Sequence, residues 1–304
     1  MNLLENKTKK QHYIPQVYLR GFSPQYKNGK GEKPHKDKYR IYAYDLKKNE
    51  SSQEIPIKSV CYEDYLYEIR NEEGGFISKN YLENFLGKLE KNFYPKYRKK
   101  LESKAFLEEN YEINCFLTQE EKSFWVTYMI IQILRLSSAL NAVTETIKEN
   151  AAVTLSDVQA KNAARGYCLP FFSSIGEKEG RIIKALFEPM GNMNFGVGVD
   201  LQGKIITSDN PVYIELSQWP CDEYDIIIFP ISAQLCLFLF GNENKKNTRK
   251  NFLFAINEKH REFIVSSLAS NAIRKLYSNH ELTEIEREYI KQGTKDREAQ
   301  RRKR

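Results

Sequence analysis

The chain has 304 residues, 41% of them hydrophobic and 29% charged, with a formal net charge of +7, a composition ordinary for a globular protein with a substantial core. No apolar run approaches the roughly 18 to 20 residues of a membrane span, and the polar start MNLLENKTKKQ has no apolar core of a secretory signal. A cytoplasmic protein without a membrane partner is therefore expected.

Residues 1–75 predict a small β-rich unit. The run RIYAYDL, residues 40–46, alternates between apolar and polar side chains as a strand does. Extended structure is expected to continue to about residue 69, with Pro56 placing it at a sheet edge or a bend.

Residues 76–190 predict a helical block. Apolar residues recur at helical spacing from Tyr81 to Leu89, and Tyr94-Pro95 interrupts or ends that helix. A second helix begins at Thr118, with Glu121 completing a capping box, and its apolar run FWVTYMIIQILRL predicts a central buried helix. Further helices are expected over 138–165 and over 180–190, the latter ending near Pro189.

Residues 191–245 form a second β-rich block of short runs: NFGVGVD, GKIITSD, PVYIEL, DIIIFPIS and QLCLFLF. Residues 246–294 return to helices, one over about 258–278 and a charged one from 281 onward. The fold class is thus α+β: a small N-terminal β unit, a central helical bundle with one buried helix, a second antiparallel or mixed β block, and C-terminal helices. The sequence predicts a single domain over 1–294 and leaves open whether the two β blocks share a sheet.

Positive charge is concentrated at both ends of the chain. Residues 1–40 carry ten Lys and Arg against three acids, and the predicted frayed tail 295–304 carries six against two. Basic ends on a slightly acidic body are suited to contact phosphate backbones, so nucleic acid is one expected partner. The alternative is that these lysines only keep the protein soluble. The oligomeric state is left open.

The segment QHYIPQVYLRGF begins with Gln11 and His12. Histidine titrates near neutral pH and suits general acid or base catalysis, and Pro15 stiffens the backbone that would aim its ring. The alternative is a histidine packed at the start of an amphipathic helix, and the spacing by itself favours this structural role.

Two polar residues, Gln132 and Arg135, interrupt the apolar run of the buried helix on one helix face. A buried arginine requires an acid, a backbone terminus or an anionic ligand. A structural ion pair and an anion-binding site are both consistent with this pattern.

The run Thr207-Ser208-Asp209-Asn210-Pro211 predicts a turn between two strands. Site residues are often carried at strand ends, so Asp209 is a candidate to pair with Arg135 or to orient His12, with Asn210 beside it. The turn remains the prediction even without such a role.

The run HYIPQVYLRGF resembles the opening of the bacterial domain of unknown function 4238 family. The resemblance continues through Tyr65 in the run EDYLY, Glu90, the Gln132 and Arg135 helix, the Ser-Asp-Asn-Pro turn and Phe229-Pro230. The resemblance covers most of the chain and implies which residues are candidates for a functional site. It implies a bacterial, intracellular protein, with some members resembling accessory, toxin or phage-defence genes.

Several catalytic motifs are absent, including GxxxxGK[ST], GxGxxG, HExxH and GxSxG. The five cysteines have no CxxC pair and the four histidines are widely spaced, so neither a metal site nor a cofactor is expected.

Two hypotheses follow. The first is a metal-independent hydrolase or nuclease that acts on a phosphodiester. Its catalytic residues would be His12, Arg135 and Asp209, and its supporting residues Gln11, Arg20, Tyr65, Gln132 and Asn210. The second is a non-catalytic nucleic-acid- or protein-binding module in which these residues form a structural polar network.

Overall fold

The computed structural model describes residues 9–26, 34–51, 53–107, 116–168, 181–215, 226–241 and 251–302. Its first block, like the predicted N-terminal unit, consists mainly of short strands. The elements are β1 (Lys10–His12), α1 (Gln16–Leu19), β2 (Arg40–Asp45), β3 (Glu50–Ser51), β4 (Ile55–Pro56), β5 (Tyr62–Asp64), β6 (Ile69–Arg70) and β7 (Phe76–Ser78).

The middle of the chain is helical and the last third returns to strands before two final helices. The helices of the middle block are α2 (Tyr81–Lys88), α3 (Tyr94–Leu107), α4 (Gln119–Leu134), α5 (Ser137–Asn150), α6 (Asp157–Cys168) and α7 (Arg181–Gly191). The last block comprises β8 (Asn194–Val199), β9 (Thr207–Ser208), β10 (Tyr213–Glu215), β11 (Ile226–Ser232), β12 (Leu235–Phe240), β13 (Asn251–Ala255), α8 (Glu258–Asn271), β14 (Lys275–Ser278) and α9 (Glu284–Arg302). This order confirms the α+β class.

Two sheets have five strands each. The one with the longer strands has the order β10-β11-β12-β8-β13. Its pairs are antiparallel except for β8 with β13, which are parallel. Nearly all side chains of β8, β11 and β12 are buried, so both faces of this sheet lie in the core. Gly198 permits this packing, because a Cβ there would lie 2.8 Å from the Ile256 side chain.

The second sheet joins the two halves of the chain. Its order is β3-β2-β14-β9, with β4 also on β2. Strand β2 pairs with β14 in antiparallel register, Asp45 opposite Lys275, and β14 pairs with β9. The N-terminal β unit therefore shares a sheet with strands from the last third of the sequence.

Helix α4 is the predicted buried helix, and its start is confirmed in detail. The Thr118 hydroxyl accepts from the Glu121 N–H, and the Glu121 carboxylate accepts from the Thr118 N–H at 2.7 Å. The predicted interruption before α3 is a π-helical segment, Leu89–Phe93, just ahead of Pro95, which has no N–H to donate to the preceding turn.

Two of the predicted helices differ from those in the structure. The predicted helix over 258–278 ends at Asn271, because residues 275–278 form β14 in the second sheet. The predicted helix over 138–165 is two helices, because Ser156 and Gln159 form a capping box that starts α6 afresh. The predicted helix over 180–190 is confirmed as α7, which ends at Gly191, two residues after Pro189.

Strand β13 was not predicted. Residues 295–302, predicted as part of a frayed tail, continue α9.

No single helix of the described ranges is long and apolar enough to cross a membrane. Only the pair α4 and α5, taken together across a 75° bend, meets the requirements of length and composition.

Candidate functional site

A polar cleft of about 570 Å³ lies between the end of β1, helices α1 and α2, and the C-terminal end of α4. It is lined by five cationic side chains and three acidic ones beside the ring of His12. The cations are Arg20, Lys36, Lys58, Lys91 and Arg135, and the acids are Asp37, Glu83 and Glu90. With His12 neutral, the excess of cations favours an anionic ligand.

His12 ends β1, and its ring lies half-buried in the cleft. Its Nε2 is 3.3 Å from the Gln16 Nε2, and its ring centroid is 5.6 Å from that of Tyr62. The pKa of His12 is lowered to about 4, mainly by burial and also by the positive charges of Arg135 and Lys10, whereas a backbone hydrogen bond at Lys58 opposes the shift. The ring is therefore neutral near pH 7 and is able to accept a proton.

Arg135, only 1% exposed, fixes the backbone beneath His12. Its Nη1 donates to Glu90 Oε1 at 2.8 Å, its Nη2 donates to the His12 carbonyl, and its Nε donates to the Tyr67 hydroxyl at 3.3 Å. The required partner acid is thus Glu90. Burial lowers the pKa of Arg135, but the interactions with Tyr67 and Glu90 outweigh it and raise the pKa above its ordinary value. Each guanidinium nitrogen of Arg135 donates a hydrogen bond within the protein. Arg135 therefore positions His12 and is not a free binding group for a ligand.

Glu83 brings a second proton-transfer group to the cleft from helix α2. Its Oε2 is buried without a hydrogen-bond partner among the described residues. Burial raises the pKa of Glu83 to about 7; Arg135 opposes this shift, and the negative charges of Glu90 and Glu68 reinforce it. A carboxyl with this pKa holds its proton in mildly acidic solution, where it is able to donate it.

Arg20, predicted as a supporting residue, follows α1 and lines the cleft. Its guanidinium lies over the Tyr39 ring at 5.4 Å, and its buried Nε has no hydrogen-bond partner within the described ranges. Burial lowers the pKa of Arg20, against attraction from Tyr39, Glu90 and Asp37. This under-bonded arginine is better suited than Arg135 to hold an anion.

The structure places Asp209 away from the cleft. Its carboxylate accepts the backbone N–H groups of Ile273, Arg274 and Lys275 at 2.8 to 2.9 Å. The interpretation that Asp209 pairs with Arg135 or orients His12 is therefore wrong, because Glu90 and backbone groups take those roles. The predicted turn is present, and its Asn210 exchanges side-chain and backbone hydrogen bonds with Asn271.

Three other predicted site residues also lie outside the cleft lining. The Gln11 side chain donates to the Glu68 carboxylate at 2.5 Å and accepts from the backbone N–H of residue 67. Tyr65 adopts a positive φ of 57° and packs against Phe76. Gln132 is fully buried, and neither atom of its amide has a hydrogen-bond partner among the described residues. The structure thus brings together His12, Arg20 and Arg135, but not Asp209, Gln11, Tyr65, Gln132 or Asn210.

Sequence reasoning did not identify Glu83, Gln16, Lys58 or Lys91 as cleft residues. One signal was available for Glu83: Glu83, Gly87 and Glu90 recur at i, i+4 and i+7, which places them on one helix face. No comparable signal marks Lys58, which reaches the cleft from the short 3-10 turn Ile57–Ser59.

The basic segments that predicted nucleic-acid contact lie partly beyond the described residues. Residues 1–8, 27–33 and 303–304 are outside the ranges, as are the side chains of 299–302. Within the ranges that the structure covers, no group of three or more His, Cys, Asp and Glu side chains could hold a metal ion.

Comparison with known proteins places the chain by family. No curated protein and no solved structure matches it. The model of one family, described as "Protein of unknown function (DUF4238)", matches residues 10–281. The match spans the cleft residues from His12 to Arg135 and the Ser-Asp-Asn-Pro turn. The chain belongs to the DUF4238 family.

Proposed function

We propose that the chain hydrolyses phosphodiesters in the cleft, with His12 as general base, Glu83 as general acid and Arg20 as the principal phosphate-binding residue. The observation that carries this proposal is that one cation-lined cleft holds the ring of His12 together with two buried polar atoms that have no hydrogen-bond partner among the described residues, the Oε2 of Glu83 and the Nε of Arg20. Buried polar atoms without partners are costly in a core and are expected where a ligand completes them.

The protonation states fix which group acts as base and which as acid. Between pH 4 and 7, His12 is neutral and Glu83 keeps its proton. In the tautomer that accepts from Gln16 at Nε2, the opposite ring nitrogen keeps its hydrogen for the Lys58 backbone. A water that displaces the Gln16 amide from Nε2 then gives its proton to that lone pair.

The reaction balances with these groups. His12 takes a proton from water as the water oxygen bonds to phosphorus, and Glu83 gives its proton to the leaving oxygen as the other P–O bond breaks. Arg20, with the cleft lysines, stabilises the added negative charge on the phosphoryl oxygens. Transfer of the proton from His12 back to Glu83 restores the starting state.

The test is hydrolysis of a single-stranded oligonucleotide and of bis(p-nitrophenyl) phosphate in the presence of EDTA. His12→Gln is expected to lower kcat/KM for both substrates about 100-fold or more. The control His260→Gln, on helix α8, is expected to keep the kcat/KM of wild type. Glu83→Gln is expected to impair the oligonucleotide strongly and the nitrophenyl ester weakly, because nitrophenolate leaves without a proton.

The pH dependence adds a second check. Wild-type kcat/KM is expected to rise through about pH 4, as His12 loses its proton, and to fall through about pH 7, as Glu83 loses its own. Hydrolysis that is absent, or equal in wild type and His12→Gln, overturns the proposal. Salt-dependent binding of the oligonucleotide without hydrolysis would favour the binding module.

A further inference from the structure

A second cavity, of about 490 Å³, adjoins the cleft. Its lining includes the rings of Tyr26, Tyr39 and Tyr94, and we call it the tyrosine cavity. Val17, Arg20 and Pro95 line both spaces, so Arg20 stands at their boundary. A single ligand could therefore place one part in the cleft and another in the tyrosine cavity.

The tyrosine cavity combines aromatic faces with fixed polar groups. The Arg98 guanidinium lies 4.0 Å from the Tyr26 ring centroid and donates to Glu102 at 2.9 Å, while the Tyr26 hydroxyl donates to Glu102 at 2.7 Å. Arg98 is 4% exposed, yet its Nη2 has no hydrogen-bond partner among the described residues. A buried donor beside aromatic rings and a guanidinium group suits a flat ligand with acceptors on its edge.

The segment after α1 holds the two spaces in fixed relation. A Cβ at Gly21 would lie 2.6 Å from Arg98 Nη2, so the absence of a side chain there lets the guanidinium lie against the backbone. Arg20 lines the cleft, and Gly21 contacts Arg98, which lines the tyrosine cavity. Two adjacent residues of the run LRGF therefore contribute to both spaces.

We infer that the tyrosine cavity binds a nucleobase whose attached phosphate lies in the cleft at Arg20. The inference rests on the proposed function and names its substrate class as nucleotides within single strands. A base inside a cavity cannot remain stacked and paired in a duplex, so a duplex substrate would have to expose the base first.

The experiment measures binding rather than turnover, with monoesters that a phosphodiesterase leaves intact. Calorimetric titration of the full chain compares adenosine 5′-monophosphate with ribose 5-phosphate. The nucleotide is expected to bind about tenfold or more tightly, since stacking of one base on aromatic side chains supplies an advantage of that order. Equal affinities, or no binding of either compound, overturn the inference.

Matched variants locate the effect. Tyr26→Phe keeps the ring and is expected to retain the preference for the nucleotide, whereas Tyr26→Ala is expected to lose it and still bind ribose 5-phosphate as wild type does. If Tyr26→Ala does not fold, saturation-transfer NMR on the wild type decides: strongest transfer to the base protons supports the inference, and strongest transfer to the ribose protons overturns it.

Failure of the two proposals is distinguishable. If diesters are cleaved in a His12-dependent way but nucleotide and ribose phosphate bind equally, only the base-binding inference fails. If the nucleotide is preferred but no diester is cleaved, the assignment of catalysis fails and the cavity remains a base-binding site.

Discussion

Burial acts on His12 and Glu83 in opposite directions, because it disfavours whichever form carries charge. It lowers the pKa of His12 to about 4 and raises that of Glu83 to about 7, so both groups are neutral over the interval between. Each shift makes folding stability depend on pH. The folded state resists protonation of His12, so stability rises as the pH increases from about 4 to 6.5. The folded state retains the Glu83 proton, so stability falls as the pH increases from about 4.5 to 7.

Glu83→Gln removes the second of these effects and leaves the first. Between pH 4.5 and 7 an unfolded chain has lost a proton that the folded wild type still holds at Glu83, and glutamine has none to lose. The variant is therefore expected to gain stability relative to wild type as the pH rises through this window. The gain should reach about 1 to 2 kcal/mol at pH 8 after allowance for partial exposure.

Urea unfolding at pH 4.5 and at pH 8 measures this difference. Glu284→Gln, at an exposed position in the first turn of α9, serves as the control and should leave the pH dependence as it is in wild type. A stability difference between Glu83→Gln and wild type that is the same at both pH values would contradict the argument.

At the scale of elements, Asp209 links the turn after β9 to the segment between α8 and β14. Three consecutive backbone N–H groups converge on its carboxylate, at positions where the chain has left the helix and has barely begun to pair as a strand. Without Asp209 these three donors would have no protein partner in the contacts described, so the carboxylate supplies the hydrogen bonds that this stretch of backbone lacks. Burial raises the pKa of Asp209, and the three backbone bonds oppose that shift.

Asp209→Ala is expected to lower the free energy of unfolding by about 3 kcal/mol, because three charge-assisted hydrogen bonds are lost. Denaturant midpoints measure the loss, with the exposed Asp157→Ala as the control, expected to leave the midpoint close to that of wild type. Under conditions where the variant is folded, its kcat/KM for diesters should equal that of wild type. A selective loss of activity in folded Asp209→Ala would return Asp209 to the catalytic site.

The limits of sequence reasoning are also clearest among elements. The start of α4 was predictable because its capping box is local, formed by Thr118 and Glu121. Strand β14 was not, because Leu276 and Tyr277 form a strand through pairing with β2, more than 200 residues earlier, and with β9, almost 70 residues earlier. At the site, burial of Arg135 required an acid, but nothing local pointed to Glu90, which lies 45 residues away on a π-helical segment. The capping box of α4 was thus recovered and the equally local one of α6 was not, whereas features set by distant pairing left no local signal to recover.

At the scale of the whole molecule, chain segments far apart in sequence are interleaved. Strand β2 lies beside β14, and the Tyr18 hydroxyl bonds Thr207 at 2.7 Å and the Pro230 carbonyl at 2.8 Å. The cleft is likewise built from separate segments, since its residues include members of β1, α1, α2 and the end of α4. Chains of this length often unfold through intermediates. Contacts of this kind nevertheless oppose independent unfolding of the helical block, and the predicted single domain over 1–294 rests on them.

Unfolding is accordingly expected to occur as one transition, which a remote mutation tests. Trp125 is fully buried in α4, whereas Leu276 is buried in β14 of the second sheet. In a Trp219→Phe background, fluorescence reports on Trp125 alone, and its urea midpoint should coincide with that of far-ultraviolet circular dichroism. Leu276→Ala should cost about 3 kcal/mol and move both midpoints equally. If the dichroism transition shifts while the Trp125 transition stays in place, the helical block unfolds on its own and the single-domain prediction is wrong.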